Sequence, residues 1–295
     1  MFQEVQIKAP AKINLTLDVI GKRPNGYHEL RMIMQTIDIY DELSIMHTGS
    51  PDIVLTMNKE LPDKIKPEQN LVYKAAKLMQ EHFSLPYGFQ IHLTKNIPAA
   101  AGLAGGSSDC AATLLGINKL CGLSLTKDEL CELGVTLGAD VPFCIKKGTM
   151  LSEGIGEILT PLPNLAPLWV VLIKPNFSLS TGYVYTHLNL NHLNYHPDTS
   201  RAVDAISRHD SVTVGQTLSN VLETVAFEEY PVLGDLKEFF LQNGSIGSLM
   251  SGSGPSTYGL YQDEILATIA YRTAKKKYPA YDVFLCQTKL PDESR

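Results

Sequence analysis

Cysteines are few in this 295-residue sequence, and none of them forms a close pair. Their number is odd and their spacing scattered, unlike the paired spacing that is typical of zinc and redox sites. We therefore expect reduced thiols, most of them buried, and no disulfide framework. The five cysteines are Cys110, Cys121, Cys131, Cys144 and Cys286.

Long apolar runs are also absent. No segment approaches the ~20 consecutive apolar residues that a membrane-spanning helix needs. The first ten residues, MFQEVQIKAP, place charged residues in an alternating pattern and lack the apolar core of a signal peptide. These features predict a cytoplasmic protein.

Basic residues are fewer than acidic residues. The sequence has 25 Lys and Arg residues and 31 Asp and Glu residues, which gives a formal net charge of -6. A field of that sign repels polyanions, which disfavours nonspecific binding to nucleic acid or to an anionic membrane. A nucleic-acid-binding domain is further disfavoured because no basic stripe is present. Any anionic ligand must be held by a local site.

The composition, 44% hydrophobic and 19% charged, is typical of a soluble globular protein. The chain has about twice the length of a typical domain, so two domains are expected, although one long domain stays open. Prolines at positions 161, 163 and 167 predict an irregular linker. We therefore divide the chain into an N-terminal domain, residues 1–160, and a C-terminal domain, residues 161–295.

Strand and helix patterns alternate along the N-terminal half. Alternating apolar residues predict strands in KINLTLDVI, QTIDIYDELSI and FQIHLTK.

A helix is predicted after Asn70, which can cap it, with one apolar stripe along its face. That predicted stripe consists of Leu71, Ala75, Leu78 and His82. Thr126 and Glu129 predict a capping box at the start of a later helix. The C-terminal half mixes strands with amphipathic helices, so the predicted fold class is α+β.

A loop of small residues, PAAAGLAGGSS, lies between the strand FQIHLTK and a helical segment. Backbone amides can approach an anion closely in such a loop, and the helix start adds about half a positive charge and several unpaired N–H donors. We expect a di- or triphosphate to bind there, although an ordinary flexible loop is the alternative. Ser107 and Ser108 are expected to cap the helix while their hydroxyls face the phosphates or magnesium. The Walker pattern and the dinucleotide fingerprint are both absent. The predicted ATP-binding loop comprises Pro98, Ala99, Ala100, Ala101, Gly102, Leu103, Ala104, Gly105, Gly106, Ser107 and Ser108.

Three stretches resemble, in order, the motifs of the GHMP kinases: PAKINL (10–15), PAAAGLAGGSS (98–108) and MSGSGPS (250–256). They span nearly the whole chain. The resemblance implies transfer of the terminal phosphoryl group of ATP, with Mg²⁺, to an alcohol. It also implies an N-terminal domain like the second domain of ribosomal protein S5 and a ferredoxin-like C-terminal domain.

Further stretches resemble the branch of this family whose acceptor is the 2-hydroxyl of 4-diphosphocytidyl-2-C-methyl-D-erythritol, in the non-mevalonate isoprenoid route. They are NGYHEL (25–30), LGADVPF (137–143) and EGIGEILTPL (153–162). Two rivals stay open: a GHMP kinase that acts on a smaller alcohol or a mevalonate derivative, and a nucleotide-binding sensor that has lost catalysis. The presence of both Lys12 and Asp140 disfavours the sensor. Whether the chain forms a homodimer is left open.

The resemblance assigns catalytic roles to Lys12 and Asp140. Taken alone, a lysine at a strand start is usually solvated, and an aspartate in a loop usually forms a turn. The resemblance implies instead that Asp140 accepts the proton of the acceptor hydroxyl, while Lys12 pairs with Asp140 and with charge on the transferred phosphoryl group. If the hydroxyl has a pKa of about 15.7, like water, full deprotonation by an aspartate near 3.9 would cost on the order of 16 kcal/mol. Asp140 is therefore expected mainly to orient the hydroxyl, with the proton leaving late.

Acceptor binding is implied for Tyr27, His28 and Tyr185. Two tyrosines can enclose a cytosine ring while a histidine hydrogen-bonds to its edge. Two alternatives stay open, in which Tyr27 is a hairpin aromatic and Tyr185 lies on one face of a helix. The resemblance further implies that Lys95 and Asn14 meet the diphosphate and the erythritol. It also places Ile155 beneath the cytidine, and Asn70 and Leu71 near the adenine.

Two positions depart from the family pattern. Ala104 stands where relatives often have glycine, so we expect no positive φ at this position. Asp109 follows the serines, where an acid would repel phosphates unless it points away or holds magnesium. No carboxylate of the kind that binds magnesium in other GHMP kinases is evident, so the protein ligands of the ion are not assigned.

Overall fold

The computed structural model describes residues 4–59 and 66–290, so the first three residues of the N-terminal segment considered above lie outside it. The described residues contain these strands: β1 (Glu4–Lys22), β2 (His28–His47), β3 (Ile53–Met57), β4 (Phe89–Thr94), β5 (Thr149–Gly154), β6 (Ile158–Pro161), β7 (Trp169–Lys174), β8 (Ser219–Asn220), β9 (Gly247–Met250), β10 (Thr257–Tyr261) and β11 (Asp282–Gln287). They also contain these α-helices: α1 (Leu71–His82), α2 (Gly105–Cys121), α3 (Lys127–Val135), α4 (Val141–Lys146), α5 (Thr181–His187), α6 (Thr199–Ser207), α7 (Ser211–Gln216), α8 (Glu223–Glu229), α9 (Val232–Gln242) and α10 (Glu264–Lys277). This mixture confirms the predicted α+β class.

The chain divides into two compact units, neither of which is continuous in sequence. The described residues of unit 1 lie within 1–11, 39–99 and 104–146, and those of unit 2 lie within 12–38, 100–103 and 147–295. The long strands β1 and β2 each contribute residues to both units. The division at residue 160 stays a prediction.

In unit 1, β4 lies between β2, to which it is antiparallel, and β3, to which it is parallel. Phe89, Ile91 and Leu93 of β4 are buried, and the side chains between them are exposed. This is the alternation predicted for FQIHLTK. Helix α2 packs against α1 and α4.

The start of α1 confirms the predicted cap, because Asn70 Oδ1 accepts a hydrogen bond from the Val72 amide at 2.9 Å. The predicted stripe is wrong. Leu71 and Leu78 are only half-buried and His82 is exposed, so Ala75 alone of that stripe lies in the core. The buried face is formed by Val72, Ala75, Ala76, Met79 and Gln80. Its apolar residues Val72, Ala76 and Met79, at i, i+4 and i+7, also form a helical stripe, so both stripes fit the helical period.

Two further helix boundaries are confirmed. Helix α2 ends before Gly122, which adopts the left-handed conformation at φ 60°. At the start of α3, Thr126 Oγ1 accepts from the Glu129 amide at 3.2 Å, and Glu129 Oε2 accepts from the Thr126 amide at 2.7 Å. This is the predicted capping box.

Unit 2 contains an antiparallel sheet in the order β11-β7-β10-β9, against which α9 and α10 pack. Strand β7 has the fully buried residues that the run WVVLI predicts. Residues 162–168 form no helix or strand, as their prolines predict, although Pro161 is still the last residue of β6. In the same unit, β5 pairs with β2 and β8 pairs with β1.

The polar face of β1 is as buried as its apolar face. Every residue from 9 to 19 is buried, including Lys12, Asn14, Thr16 and Asp18. Buried polar groups need hydrogen-bond partners, so this face must be contacted by other polar groups. It is where the candidate site begins.

None of the five cysteines, all of which lie within the described residues, forms a disulfide, and Cys110, Cys144 and Cys286 are buried, as expected. Among the described helices, none combines the length and the apolar character that a membrane crossing requires.

Candidate active site

Portions of all three motifs meet in unit 2. The Lys12 amide donates to the Leu103 carbonyl at 3.1 Å, which joins the first motif to the second. Ser251 Oγ donates to the Gly102 carbonyl at 2.9 Å, which joins the third motif to the second. A Cβ atom at Gly102, where φ is +74°, would lie 2.0 Å from the Ser251 carbonyl oxygen. Only glycine allows this approach.

Lys12 is 4% exposed, so the alternative of a solvated lysine is wrong. Its Nζ donates to Asn14 Oδ1 at 2.7 Å. A Cβ atom at Gly252 would lie 3.5 Å from the same Nζ, so the third motif also touches the ammonium group. A buried ammonium is costly unless it is hydrogen-bonded and faces negative charge. Lys12 is therefore placed to interact with an anion.

The predicted capping by Ser107 and Ser108 is wrong. Helix α2 begins at Gly105, which places both serines inside its first turn, and the N-cap position is occupied by Ala104. Ser108 Oγ donates to the Pro10 carbonyl at 2.6 Å and is buried, whereas Ser107 is half-buried. No described side chain caps α2, so the N–H groups of its first turn are left for solvent or an anion.

Ala104 adopts φ 55°, in the left-handed region, so the expectation of an ordinary φ was wrong. The chain must turn there to enter α2, and an alanine in this conformation costs roughly 1–2 kcal/mol. Ala100 also has a positive φ, of 47°. Both strained alanines belong to the predicted phosphate loop.

Asp140 lies directly before α4, and its carbonyl accepts the first helical hydrogen bond from Cys144 at 3.1 Å. Its side chain is half-buried. In the same loop, a Cβ atom at Gly138 would lie 3.8 Å from Ser107 Oγ, so the loop LGADVPF runs beside the first turn of α2. The pairing of Asp140 with Lys12 stays a prediction.

Lys95 lies in a buried charge cluster with two carboxylates. Its Nζ donates to Asp109 Oδ2 at 2.7 Å and to Asp41 Oδ2. The other oxygen of Asp41 accepts from the Ile97 amide at 2.8 Å, at the entrance to the loop. Asp109 therefore points towards Lys95. This agrees with the expectation that the acid points away from the phosphates and not with the alternative that it holds magnesium. The role of Lys95 in diphosphate binding stays a prediction.

Burial dominates the electrostatics of this cluster. It raises the pKa of Asp109 to about 8, against the lowering effect of the Lys95 charge, and Asp41 adds to the rise. Burial by itself would lower the pKa of Lys95. The negative charges and hydrogen bonds of Asp109 and Asp41 have a larger, opposite effect, so the pKa of Lys95 is raised. Lys95 is therefore a protonated cation at neutral pH.

Two of the predicted cytosine-binding residues lie together in unit 2. The rings of His28 and Tyr185 have centroids 5.2 Å apart and are tilted by 33°. Burial, followed by the charge of Lys22, lowers the pKa of His28, which favours the neutral ring with one donor and one acceptor. Tyr27 is 58% exposed, in a turn closed by the Arg23 amide and the Tyr27 carbonyl at 2.7 Å.

The remaining predicted residues occupy loops and helix ends. Ile155 is half-buried in the turn between β5 and β6, and its amide donates to Glu157 Oε2 at 2.6 Å. Asn70 is the N-cap described above. A Cβ atom at Gly106 would lie 3.8 Å from Leu71 Cδ1, so the predicted adenine residues adjoin the loop. Their roles stay predictions.

Sequence reasoning missed Asp41, Asn220 and Glu223. All three are buried and hydrogen-bonded to backbone groups near the motifs. The only local signal is a polar residue within a largely apolar segment, such as SNVLETV. Their partners lie 27 to 56 residues away in sequence, so short-range patterns could not identify them.

Within the described residues, no group of three or more His, Cys, Asp or Glu side chains could hold a metal ion. Magnesium in nucleotide sites is usually held by one or two carboxylates, waters and the phosphates themselves. The donor set here fits an ion that arrives with a nucleotide and keeps most of its ligands from phosphate and water.

Comparison with known proteins gives consistent matches. Residues 70–148 match the GHMP kinases N-terminal domain, and residues 202–280 match the GHMP kinases C-terminal domain. The chain is 47% identical over 268 residues to 4-diphosphocytidyl-2-C-methyl-D-erythritol kinase of Lachnoclostridium phytofermentans, covering 90% of this chain and 91% of that one. It is 45% identical over 286 residues to the enzyme of the same name from Acetivibrio thermocellus, covering 97% and 99%.

Solved structures agree. A crystal structure of 4-(cytidine 5'-diphospho)-2C-methyl-D-erythritol kinase matches with a TM-score of 0.81 at 31% identity, covering 96% of this chain and 99% of that one. A homoserine kinase from Cytophaga hutchinsonii shares the fold, with a TM-score of 0.76 at 20% identity, covering 98% and 95%. The two domain matches, the identities over most of the chain and the meeting of the three motifs around Lys12 establish that the chain belongs to the GHMP kinase family.

Proposed function

We propose that this protein is an ATP-dependent kinase that phosphorylates the 2-hydroxyl of 4-diphosphocytidyl-2-C-methyl-D-erythritol, a precursor in the non-mevalonate isoprenoid route. The observation that carries the proposal is the meeting of the three motifs around the buried ammonium group of Lys12. The names of relatives at 45–47% identity support the choice of acceptor.

ATP binds, in this proposal, with its phosphates at the uncapped start of α2. Seventeen helical residues follow that start, so the helix presents unpaired N–H groups and a partial positive charge to the phosphates. Asn70 and Leu71 lie at the start of α1, where they would contact the adenine. Mg²⁺ bound to the nucleotide would neutralise part of the phosphate charge.

Asp140 and Lys12 carry the transfer step. Asp140 would hold the acceptor hydroxyl in line with the terminal phosphoryl group and take its proton late in the reaction. Lys12 would place a fixed positive charge beside the oxygens of the transferred group, where it stabilises the transition state without reorganisation. The burial of Lys12 strengthens that interaction, since water screens it less.

The acceptor is held, in this proposal, through its cytosine ring. Neutral His28 offers one donor and one acceptor to the ring edge, and Tyr185 lies beside it to pack against the ring face. Tyr27, exposed in the preceding turn, can cover the other face. Ile155 supplies an apolar contact, and Asn14 and Lys95 are the polar residues predicted for the erythritol and the diphosphate.

A turnover assay with several acceptors tests this function. Purified protein is incubated with ATP and Mg²⁺ and with the cytidine diphosphate alcohol, homoserine or mevalonate, and ADP release is followed by a coupled assay. We expect ADP release with the cytidine diphosphate alcohol and none with homoserine or mevalonate. Release with homoserine or mevalonate instead would assign the chain to another GHMP activity, and ATP binding without turnover of any acceptor would favour the sensor.

A further inference from the structure

Two asparagine side chains hold Gly252 of the third motif from opposite sides. The Gly252 amide donates to Asn14 Oδ1 at 3.1 Å, and its carbonyl accepts from Asn220 Nδ2 at 2.8 Å. Gly252 has φ 58°, in the loop between β9 and β10. The two hydrogen bonds therefore fix both peptide groups of a residue whose backbone is otherwise permissive.

The contact with Gly252 sets the orientation of the Asn14 amide. Asn14 Oδ1 accepts from both Gly252 N and Lys12 Nζ, so both acceptor positions of this oxygen are used. If the amide rotated by a half turn, its NH₂ group would face two donors. The Gly252 amide thus keeps Asn14 Oδ1 directed at the ammonium group of Lys12.

Asn220 is completely buried, and both polar atoms of its amide are hydrogen-bonded. Its Nδ2 donates to the carbonyls of Met250 and Gly252, each at 2.8 Å, and its Oδ1 accepts from the Leu222 amide at 3.0 Å. It lies on β8, where it pairs with Leu17 of β1. Asn220 is thus anchored to the strand that also carries Lys12 and Asn14.

A second buried side chain supports the same loop. Glu223 Oε1 accepts from the Met250 amide at 2.9 Å, while its Oε2 pairs with Lys237 Nζ at 2.6 Å. Met250 is therefore held at its amide by Glu223 and at its carbonyl by Asn220. Residues 219–223 act as a brace for the start of the third motif.

We propose that Asn220 is a positioning residue for Lys12. Three successive hydrogen bonds, from Asn220 to Gly252, from Gly252 to Asn14 and from Lys12 to Asn14, fix the ammonium group where it meets the transferred phosphoryl group. This inference rests on the proposed function. Because small misplacements of a catalytic group reduce rates by about 100-fold, loss of the Asn220 donor lowers kcat more than it raises either KM.

The test uses Asn220→Asp, which keeps the shape but turns an oxygen towards the carbonyls of Met250 and Gly252. We expect kcat to fall by about 10- to 100-fold, with the KM values for ATP and the acceptor changed by less than about 3-fold. Thr149→Val is the matched control, because it removes another buried side-chain hydrogen bond of unit 2, to Gln35, that has no link to Lys12. It should leave kcat unchanged. If Asn220→Asp does not fold, Asn220→Ser replaces it, with a smaller fall in the same direction.

A double-mutant cycle separates positioning from a general loss of structure. If Asn220 acts through Asn14, adding Asn220→Asp to Asn14→Ala lowers kcat little further, whereas independent effects multiply. Unchanged kcat in Asn220→Asp, or effects that multiply, would overturn the inference.

A wild-type protein without turnover would instead contradict the proposed function. In that case NMR of the Asn14 side-chain amide, assigned with Asn14→Asp, still tests the contact: Asn220→Ser, which adds no charge, should shift the Asn14 amide signals. Unchanged Asn14 signals would overturn the inference without any substrate.

Discussion

Asp109 and Lys95 are joined by one carboxylate oxygen only: Oδ2 lies 2.7 Å from Nζ, and the buried Oδ1 has no hydrogen-bond partner among the described residues. A buried, half-satisfied carboxylate is costly in its charged form. This explains why its pKa is raised to about 8 despite the adjacent ammonium group.

The first prediction concerns the pH dependence of stability. The pKa of Asp109 rises from an ordinary 3.8 in the unfolded chain to about 8 in the folded one, so the folded state binds more protons between these values. The contribution of this group to stability is therefore present at low pH and is lost as the pH rises from about 4 to about 8. Urea unfolding across this range should show a steeper loss of unfolding free energy in the wild type than in Asp109→Asn. Equal slopes would contradict the assignment.

The second prediction concerns Lys95. Lys95→Met leaves the buried Asp41 carboxylate without its counter-charge, which should lower the free energy of unfolding by about 3–5 kcal/mol. Neutralising that carboxylate in the double variant Lys95→Met/Asp41→Asn should restore part of the loss. Urea unfolding of both variants measures this. A loss below about 1 kcal/mol in the single variant would show that the cluster is not the main role of Lys95.

The third prediction concerns acceptor binding by His28. Burial and Lys22 keep its pKa below 6.5, so protonation, and with it a rise in the KM for the acceptor, should occur only at more acidic pH. Lys22→Ala removes one of the two causes and should move that rise to higher pH. The control Lys22→Arg keeps the charge and should leave the profile in place. A KM profile that is identical in Lys22→Ala and the wild type would argue against His28.

The fourth prediction concerns the strained loop. Ala104→Gly removes the steric cost of φ 55° and should raise the unfolding free energy by up to about 1 kcal/mol, after the entropy of the unfolded glycine is counted. Ala111→Gly, within α2, is the control of opposite sign and should cost at least about 1 kcal/mol. Thermal unfolding distinguishes them. Destabilisation by Ala104→Gly would show that the backbone there is not strained.

Features set by neighbours in sequence could be predicted. The Asn70 cap, the capping box of Thr126 and Glu129, and the end of α2 before Gly122 each depend on residues within one helical turn. The strand FQIHLTK was also predicted because one of its faces is exposed and the alternation is visible.

Features set by distant contacts could not be predicted. Ala104 is strained because the chain must turn into α2, and no residue type at that position signals the turn. The partners of Lys95 lie 54 and 14 residues away, and those of Asn220 lie 30 and 32 residues away. The apolar stripe of α1 was misassigned because two stripes fit the helical period, and only packing against α2 distinguishes them.

The central claim is that the protein transfers the terminal phosphoryl group of ATP to the cytidine diphosphate alcohol, with Asp140 orienting the hydroxyl and Lys12 stabilising charge on the transferred group. The most direct measurement is ³¹P NMR of that reaction with the wild type and with Asp140→Asn. The account predicts one phosphorylated alcohol per ADP in the wild type, and a rate reduced by about 100- to 10,000-fold in Asp140→Asn with ATP still bound. Transfer at the wild-type rate by Asp140→Asn would contradict it.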